Sequence, residues 1–308
     1  MICSVCKSKL NKFLRVKNIE KNKYFNILKC NSCGHLETKI SSKVKIDQYY
    51  NLDYYGKKNK FLFLFETISK LIRLSRIRNL IFLKNKKIID IGFGRGVEIT
   101  TLRKKNITYG VEINKKYFKK LNKLGVKTFL FKNFIKKNFI KKFDVIMMWH
   151  NLEHQKNINI VLKKCKEIIK SNGILILEVP NSSSFQAKID QKNWLYWDVP
   201  RHIHHFSTKS LNLALKNNHF TPVKINTFSL EYGVFGMLNS IINFFVKEKN
   251  LLFKEIQNNK RKKINKINFY FLMFSAFLLF PFAFIFEFIS SFIFNKGSVI
   301  HIVAKKIN

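Results

Sequence analysis

The chain has 308 residues, enough for one large domain or about two smaller ones. It is 46% hydrophobic and 15% aromatic with only 11 glycines and 4 prolines, which excludes a disordered, collagen-like or linker-dominated protein. The 58 lysines and arginines outnumber 18 aspartates and glutamates for a net charge of +40, but they are spread along the whole chain, so the charge permits nucleic-acid, membrane-surface or phosphorylated partners without selecting one.

Cysteines near the amino terminus form two C-x-x-C pairs, made by Cys3, Cys6, Cys30 and Cys33. We expect no secretory leader, because Met1 leads into the first pair without a basic start and an apolar core. Paired C-x-x-C motifs in a cytoplasmic chain are more typical of a metal site than of disulfides. We therefore predict that residues 1–40 form a zinc-ribbon-like module in which these four thiolates hold a structural Zn²⁺. A redox-active thiol pair is the alternative.

Residues 41–80 are predicted to form a linker followed by a helix. The linker, Lys39 to Lys60, carries a tyrosine cluster made by Tyr49, Tyr50, Tyr54 and Tyr55. A helical pattern of apolar residues then runs from Phe61 to Leu80.

From residue 81 the sequence alternates short apolar runs with helical patterns. The predicted strands are Ile88–Ile91, Thr108–Val111, Lys127–Phe131, Asp144–Trp149, Ile174–Val179, Thr221–Phe228 and Ser298–Lys305. A helix over Ile158–Lys170 is expected to end at a C-cap formed by Asn172 and Gly173. Strands that alternate with helices at this spacing predict an α/β fold with a doubly wound, mostly parallel sheet, and a long insertion separates its last two strands.

The first of these strands runs into a glycine-rich turn with the spaced residues Asp90, Gly92, Gly94 and Gly96. A strand, a glycine-rich turn and a helix in succession present backbone N–H groups to a nucleotide-like ligand. A dinucleotide fingerprint needs G-x-G-x-x-G, and here the third glycine comes one residue early. Glu112 ends the second strand about 20 residues on, where it is placed to accept hydrogen bonds from both ribose hydroxyls of a ligand. The alternative is a tight turn without a ligand.

This spacing resembles motif I of class I S-adenosylmethionine-dependent methyltransferases. Three further segments match: Leu152-Glu153-His154, Glu178-Val179-Pro180-Asn181 and Asp198-x-Pro200-Arg201-His202-x-x-His205-Phe206-Ser207. Together they resemble a methyltransferase subfamily that is often encoded with surface-glycan genes and commonly carries an amino-terminal zinc knuckle. The resemblance covers about Cys3 to Phe220 and the last strand. It implies a Rossmann-like, seven-stranded methyltransferase core made by residues 81–229 and completed by a final strand in residues 298–308.

The resemblance also implies S-adenosylmethionine as the methyl donor. The residues that would bind it are Asp90, Gly92, Gly94, Gly96, Glu112 and Asn133. The family usually has Asp or Glu just after the third strand to hold the adenine amino group. Asn133 is the nearest candidate here, and its amide oxygen would accept that bond.

Transfer of a methyl group to a hydroxyl requires a base near the methyl group, and the carboxyl ends of the strands deliver side chains there. The available histidines are His150, His154, His202, His204 and His205. We predict His154 as the base from its position after the fourth strand, with His202 second. The alternative for each is a structural role in holding its loop, since Ser207 caps the helix Thr208–Asn217.

Three other side chains near these histidines have open alternatives. Arg201 either clamps a phosphate or carboxylate of the acceptor or pairs with Asp198. Trp194 and Trp197 either stack on a sugar ring or pack in an apolar lid. Cys165 lies on an apolar helix face and is expected in the core.

Residues 230–297 are predicted to be a hydrophobic helical insertion that associates with a membrane. Ile267–Phe286 contains no charged residue and is long enough to cross a bilayer, and a basic cluster over 260–266 precedes it. A single crossing would leave the last strand on the wrong side of the membrane.

Pro281 offers a break in this apolar run. We therefore predict a re-entrant or interfacial helical hairpin with arms Phe269–Phe280 and Phe282–Phe294, so that 267–294 contacts the membrane. Gly233–Val246 would lie alongside as an amphipathic partner. A true span and a buried pair of soluble helices are the alternatives.

These features predict a cytoplasmic methyltransferase, peripheral or monotopic at the inner face of the cell membrane. The expected reaction is O-methylation of a glycan or glycolipid precursor, so the partner is a small-molecule or lipid-linked glycan acceptor. A quinone or other lipid is the alternative acceptor. A zinc-ribbon nucleic-acid-binding protein or RNA methyltransferase is a further alternative, although the basic residues form no confined stripe and nucleic acid is not the expected partner. A non-catalytic binding module is the last.

Overall fold

The structure is a computed structural model that describes residues 1–50, 70–256 and 265–307. In this part the chain forms the strands β1 Leu10–Lys17, β2 Tyr24–Cys30, β3 Leu36–Lys39, β4 Lys87–Ile91, β5 Ile107–Glu112, β6 Lys127–Leu130, β7 Phe143–Trp149, β8 Ile169–Pro180, β9 His204–His205, β10 Phe220–Asn226 and β11 Val299–Lys306. The helices are α1 over 70–76, α2 Val97–Leu102, α3 Phe118–Lys123, α4 Phe131–Lys136, α5 Ile158–Ile168, α6 Phe185–Asp190, α7 Thr208–Asn217, α8 Phe235–Phe245, α9 Leu251–Ile256 and α10 Lys266–Phe292.

Seven strands form the larger sheet, in the order β10-β11-β8-β7-β4-β5-β6. The five strands from β8 to β6 pair in parallel, and β11 pairs antiparallel with both β8 and β10. Apolar side chains on β4 and its neighbours are buried because helices cover both faces, as parallel sheets require. The predicted α/β fold, a doubly wound Rossmann-like sheet of the seven-stranded methyltransferase type, is confirmed.

Four strands form a second, antiparallel sheet in the order β1-β2-β3-β9. The first three come from the amino-terminal forty residues, whereas β9 lies far downstream, after the core strands. Leu36 and Glu37 pair with His205 and His204, and Phe206 then forms a bridge to Asn181, the residue after β8. Residues 204–206 therefore join the amino-terminal sheet to the larger one.

Two predicted helices differ from the structure or are partly outside it. The predicted helix Phe61–Leu80 has its first nine residues outside the described residues, and its described part is helical over 70–76. The helix predicted to end at Asn172 and Gly173 ends at Ile168 instead, and β8 begins at the next residue. Gly173 is needed for another reason: a Cβ there would lie 3.0 Å from the Phe143 carbonyl oxygen on the paired strand.

The insertion between β10 and β11 is helical, and α10 is one continuous helix of 27 residues. The prediction of a hairpin with arms Phe269–Phe280 and Phe282–Phe294 was therefore wrong. Pro281 removes one backbone hydrogen bond, which is a local cost, whereas a hairpin needs turn-forming residues that the phenylalanine-rich segment around Pro281 does not supply. The predicted partner does lie alongside, since α8 packs against α10.

Candidate active site

A cavity of about 1030 Å³ opens at the carboxyl ends of the central parallel strands, where open α/β sheets bind their ligands. Asp90 and Gly92 reach it from the end of β4, Glu112 from β5 and Trp149 from β7. The segment that follows β7 contributes His154. The cavity thus joins the glycine-rich turn to the segment that carries the predicted base.

The glycine-rich turn has the conformation that only glycine adopts easily. Gly92, Gly94 and Gly96 have φ angles of 85°, 53° and 72°, all in the left-handed region. A Cβ at Gly92 would collide with the Asn151 side chain, and one at Gly96 with the Leu121 side chain. The turn is therefore fixed by both its backbone and its neighbours.

Glu112 lies directly against this turn. Its Oε2 accepts a hydrogen bond from the Gly94 N–H at 3.0 Å, and its Oε1 accepts one from the Ile113 N–H at 2.7 Å. Burial raises the pKa of the Glu112 carboxyl, although these backbone N–H groups oppose that shift. The carboxylate lines the cavity at the position the sequence predicts for a ribose-binding residue.

Asp90 is a buried carboxyl with no partner. Its side chain is 1% exposed, and among the residues that the structure describes none donates a hydrogen bond to either oxygen. Burial, with the nearby charges of Glu98 and Glu112, raises its pKa well above the usual range. A buried acceptor on the wall of a cavity needs a donor from water or from a ligand. S-adenosylmethionine fits this requirement, because it carries an ammonium group for Asp90 and ribose hydroxyls for Glu112.

Asn133 does not join this group. The third core strand ends at Leu130, earlier than predicted, and α4 begins at once at Phe131, which leaves the Asn133 side chain exposed on the helix. Ile113 and Phe131 line the cavity at this end. They are apolar residues adjacent to strand ends, and no sequence pattern distinguished them from core positions.

His154 and His202 lie together on the cavity wall, with ring centroids 4.6 Å apart. His154 Nδ1 lies 3.0 Å from the carbonyl oxygen of Arg201, and His202 Nδ1 lies 2.9 Å from that of Tyr196. A carbonyl oxygen only accepts, so each Nδ1 carries the proton and donates it. In a neutral imidazole this arrangement leaves the lone pair on Nε2.

Burial and the neighbouring His202 together lower the pKa of His154 to about 4, against the opposing effect of the carboxylates Glu153 and Asp198. The imidazole is therefore neutral near pH 7. Tyr50, from the tyrosine cluster, places its hydroxyl 3.0 Å from His154 Nδ1. Tyr49 is buried behind it, and the cluster's other two members lie outside the described residues.

The other histidines of the predicted set have structural partners. His150 lies between two carboxylates, with Nε2 2.9 Å from Glu178 Oε1 and Nδ1 3.4 Å from Glu153 Oε1; burial lowers its pKa, but these partners outweigh that effect and raise it. His204 contacts the ring of His35 in the amino-terminal sheet. His205 Nε2 bonds to the Thr38 hydroxyl at 2.9 Å.

In the structure Arg201 pairs with Asp198, and the two tryptophans pack in an apolar cluster. Arg201 is buried, with Nε 2.9 Å from Asp198 Oδ1 and Nη1 2.8 Å from Glu20 Oε1. Trp194 and Trp197 are buried in the apolar cluster that packs the amino-terminal sheet against the core. Cys165 is likewise buried in the main core. This segment therefore holds the amino-terminal sheet in place beside the cavity.

A group of charged residues on the cavity wall had not been predicted. Arg76 contacts Glu231 at 2.6 Å and Glu178 at 3.5 Å, and Arg73 contacts Glu231 at 3.2 Å. Burial lowers the pKa of the Arg76 guanidinium, but Glu178 and Glu231 outweigh that effect and raise it. Arg76 and Glu231 are far apart in sequence, so no local motif indicated their pairing.

The four amino-terminal cysteines lie together, with all four sulfurs within 4.8 Å of one another. Cys3 Sγ is 3.7 Å from Cys33 Sγ, and Cys6 Sγ is 3.3 Å from Cys30 Sγ. A tetrahedral site with Zn–S bonds of about 2.3 Å places its sulfurs about 3.8 Å apart. The cluster therefore has the dimensions and the donor set of a four-thiolate metal site.

A family model described as a methyltransferase domain matches residues 63–225, more than half of the chain. The chain is 29% identical over 209 residues to the ribosomal RNA small subunit methyltransferase A of Borreliella burgdorferi strain ATCC 35210, covering 66% of this chain and 73% of that protein. Among solved structures, it is similar to a SAM-dependent methyltransferase from Archaeoglobus fulgidus, with 19% identity, a TM-score of 0.49 and coverage of 80% and 100% of the two chains. It is also similar to a possible histamine N-methyltransferase from Thermotoga maritima, with 21% identity, a TM-score of 0.43 and coverage of 59% and 81%.

Proposed function

The chain belongs to the methyltransferase domain family as a class I S-adenosylmethionine-dependent enzyme, and from this premise we propose that it methylates a hydroxyl group of a glycan or glycolipid precursor at a membrane surface. The observation that carries the choice of a hydroxyl is the lone pair on His154 Nε2. The backbone links His154 to the glycine-rich turn, because Asn151 packs on Gly92 and the backbone N–H of His154 donates to the Asn151 carbonyl at 3.1 Å.

The donor half of the cavity is built from residues around the glycine-rich turn. Asp90 would hold the ammonium group of the donor and Glu112 its ribose hydroxyls, while Ile113 and Phe131 offer apolar surface to adenine. S-adenosylmethionine, when bound, supplies a methyl group on a cationic sulfur that is a good leaving group. The protein's contribution is therefore alignment of the acceptor oxygen with that methyl carbon.

The acceptor half activates the hydroxyl. His154 Nε2 is oriented by the Nδ1–H···O=C bond to Arg201, so its lone pair has a fixed direction. As the acceptor oxygen bonds to the methyl carbon, its proton must leave, and we assign its removal to the His154 position. Tyr50, Tyr196 and Tyr232 line this half. Aromatic rings that carry hydroxyls suit a sugar, which has apolar faces and polar edges.

Isotope-labelled S-adenosylmethionine, incubated with the enzyme, cell membranes and extract, tests the acceptor class. We expect a glycan or glycolipid to gain a labelled methyl on oxygen, as measured by mass spectrometry. Label on a quinone or other lipid would replace the glycan with that acceptor. Label on RNA would favour the function named for the Borreliella relative, which the net charge of +40 also permits.

The membrane part of the proposal rests on α10. Its most apolar 18-residue stretch has a mean hydropathy of 2.2 and is only 17% buried, and exposed phenylalanines extend along it. Its carboxyl-terminal turn is fixed to the core, because buried Glu287 accepts bonds from the Ser298 N–H and from Gln186, at 2.9 Å each. A helix held in this way is suited to lie in the membrane interface with its exposed face in the lipid.

Removing apolar side chains from α10 is expected to weaken membrane binding. Phe274 and Phe277 are 59% and 75% exposed, and burying a phenylalanine is worth about 1.5–3 kcal/mol, so the double change Phe274→Glu and Phe277→Glu should lower partitioning by at least about tenfold. Flotation with anionic phospholipid vesicles measures this. The matched control is Phe82→Glu, at a phenylalanine 77% exposed elsewhere. A wild-type protein that stays free of the vesicles would contradict the membrane proposal.

We also propose that the cysteine cluster holds a structural Zn²⁺. Cys30→Ser should lose the metal and lower the melting temperature by several degrees, since a thiolate-bound metal contributes directly to folding. Methyl transfer should fall with it, because β9, the fourth strand of this sheet, begins two residues after His202. Metal content and thermal unfolding measure these effects. Cys165→Ala should keep its zinc, and a Cys30→Ser protein with full zinc content would refute the assignment.

A further inference from the structure

Three ligand-type side chains meet beside the cavity: His154 and His202 line it, and Glu153 is fully buried next to them. Glu153, His154 and His202 each place one such atom within 4.8 Å of the others. They come from the turn after β7 and from the loop before β9, so the fold brings them together over a long sequence distance. This trio, here named the His–Glu cluster, shares no residue with the cysteine cluster.

The two imidazoles of the His–Glu cluster are oriented as metal ligands are. Each Nδ1–H donates to a backbone carbonyl, at 3.0 Å for His154 and 2.9 Å for His202. This outer hydrogen bond is the usual device that fixes the tautomer of a ligating histidine and leaves its second nitrogen for the metal. The Asp198 carboxylate, 3.7 Å from His202 Nε2, adds negative charge beside the cluster.

Glu153 completes the set as an unsatisfied buried carboxylate. Its exposed fraction is 0%, and neither oxygen accepts a hydrogen bond from any residue within 1–50, 70–256 or 265–307. His150 Nδ1 faces Oε1 at 3.4 Å, which leaves Oε2 without a counter-charge from that side. A buried carboxylate and two histidines thus hold their ligand atoms within 4.8 Å of one another, and a cation between them would satisfy the carboxylate oxygens that accept no hydrogen bond.

We propose that Glu153, His154 and His202 bind a divalent transition-metal cation at the acceptor end of the cavity. Two imidazoles and one carboxylate form a ligand set used by catalytic zinc and by other first-row metals, with positions left open for a further ligand. His154 and His202 line the cavity, so the open positions face the acceptor. The inference rests on the proposed hydroxyl methylation and specifies how the hydroxyl is activated.

The cation would lower the pKa of the acceptor hydroxyl by withdrawing charge from its oxygen. The O–H bond breaks and the proton passes to solvent through the open cavity. The oxygen then forms the new O–C bond while the C–S bond of the donor breaks and its electron pair stays on sulfur. In this step His154 Nε2 binds the cation, and this role replaces the general-base role that the proposed function gives to the same lone pair.

Titration of the purified, zinc-loaded full-length protein with Mn²⁺, with free Mn²⁺ followed by electron paramagnetic resonance, tests the site without donor or acceptor. We expect one bound Mn²⁺ per chain. Glu153→Gln and His202→Ala should each weaken binding by about tenfold or more, as loss of a ligand does. The matched controls are Glu167→Gln and His219→Asn, whose side chains are exposed and which should bind as the wild type does. Circular dichroism verifies that each variant is folded. If only one of the two variants folds, that variant alone is enough to test the site.

A wild-type protein that binds neither Mn²⁺ nor Zn²⁺ outside the cysteines overturns the inference, as does a folded Glu153→Gln or His202→Ala protein that binds Mn²⁺ like its control. A parallel methylation assay with and without EDTA separates this inference from the proposed function. If the protein methylates a hydroxyl but has no Mn²⁺ site, only the metal-site inference is refuted and the proposed function stands. If the protein binds Mn²⁺ at this site but methylates no hydroxyl, the proposed function is refuted and the metal site stands.

Discussion

Replacement of Glu112 by alanine is expected to lower the affinity for S-adenosylmethionine by about 100-fold or more. The carboxylate lies at the end of β5 against the glycine-rich turn, where it would accept bonds from both ribose hydroxyls. Hydrogen bonds to a charged group contribute about 1.5–3 kcal/mol each, and loss of two accounts for this effect. Isothermal titration calorimetry measures it.

Two variants control for the Glu112→Ala experiment. Glu112→Gln keeps an acceptor oxygen of the same size and should retain part of the affinity. Glu167→Ala removes an exposed carboxylate outside the cavity and should bind as the wild type does. Unchanged affinity in a folded Glu112→Ala protein would show that the donor lies elsewhere.

His154→Ala is expected to reduce the rate of methyl transfer by about 10²–10⁴-fold while donor affinity stays within a few-fold of wild type. The separation follows from the proposed site, in which His154 faces the acceptor and the residues assigned to donor binding surround the glycine-rich turn. Single-turnover kinetics with labelled donor measure transfer, and calorimetry on the same preparation measures donor binding.

The comparison for this variant is His219→Asn, an exposed histidine in a left-handed turn whose loss should leave both quantities unchanged. A His154→Ala protein with wild-type transfer would contradict activation of the acceptor at this position. A protein that loses donor binding as well would place His154 in the donor pocket instead.

The larger sheet was predictable because each of its strands is determined by a short segment of the sequence. Each core strand is a short apolar run with its own turn residues, and the alternation with helices determines that the strands are parallel. The donor turn was predictable for the same reason, since Asp90 and the three glycines lie within one strand–turn–helix segment and their left-handed backbone requires glycine. Glu112 follows from the next strand end.

The differences arose where a local pattern was compatible with two structures. The family resemblance points to Asn133 as the residue just after the third strand, and the earlier start of α4 leaves its side chain exposed. Pro281 predicts a break because it lacks a backbone N–H, yet a helix tolerates one lost hydrogen bond when its neighbours continue the helical pattern. In both cases the choice depended on which structure the flanking residues favoured.

The acceptor end could be predicted only in part, because long-range contacts build it. His154 was identified from its position, but its fixed tautomer depends on the carbonyl of Arg201, and the pairing of Arg76 with Glu231 joins distant segments. The pairing of β9 with the amino-terminal sheet could not be predicted either, because a strand of two residues is too short to show an alternating pattern.

The central claim is that the cavity beside the glycine-rich turn binds the methyl donor, and calorimetry of the purified wild-type chain with S-adenosylhomocysteine, the demethylated donor, tests it most directly. The account predicts saturable binding of one molecule per chain, which S-adenosylmethionine displaces. A folded protein with no affinity for either compound would contradict it.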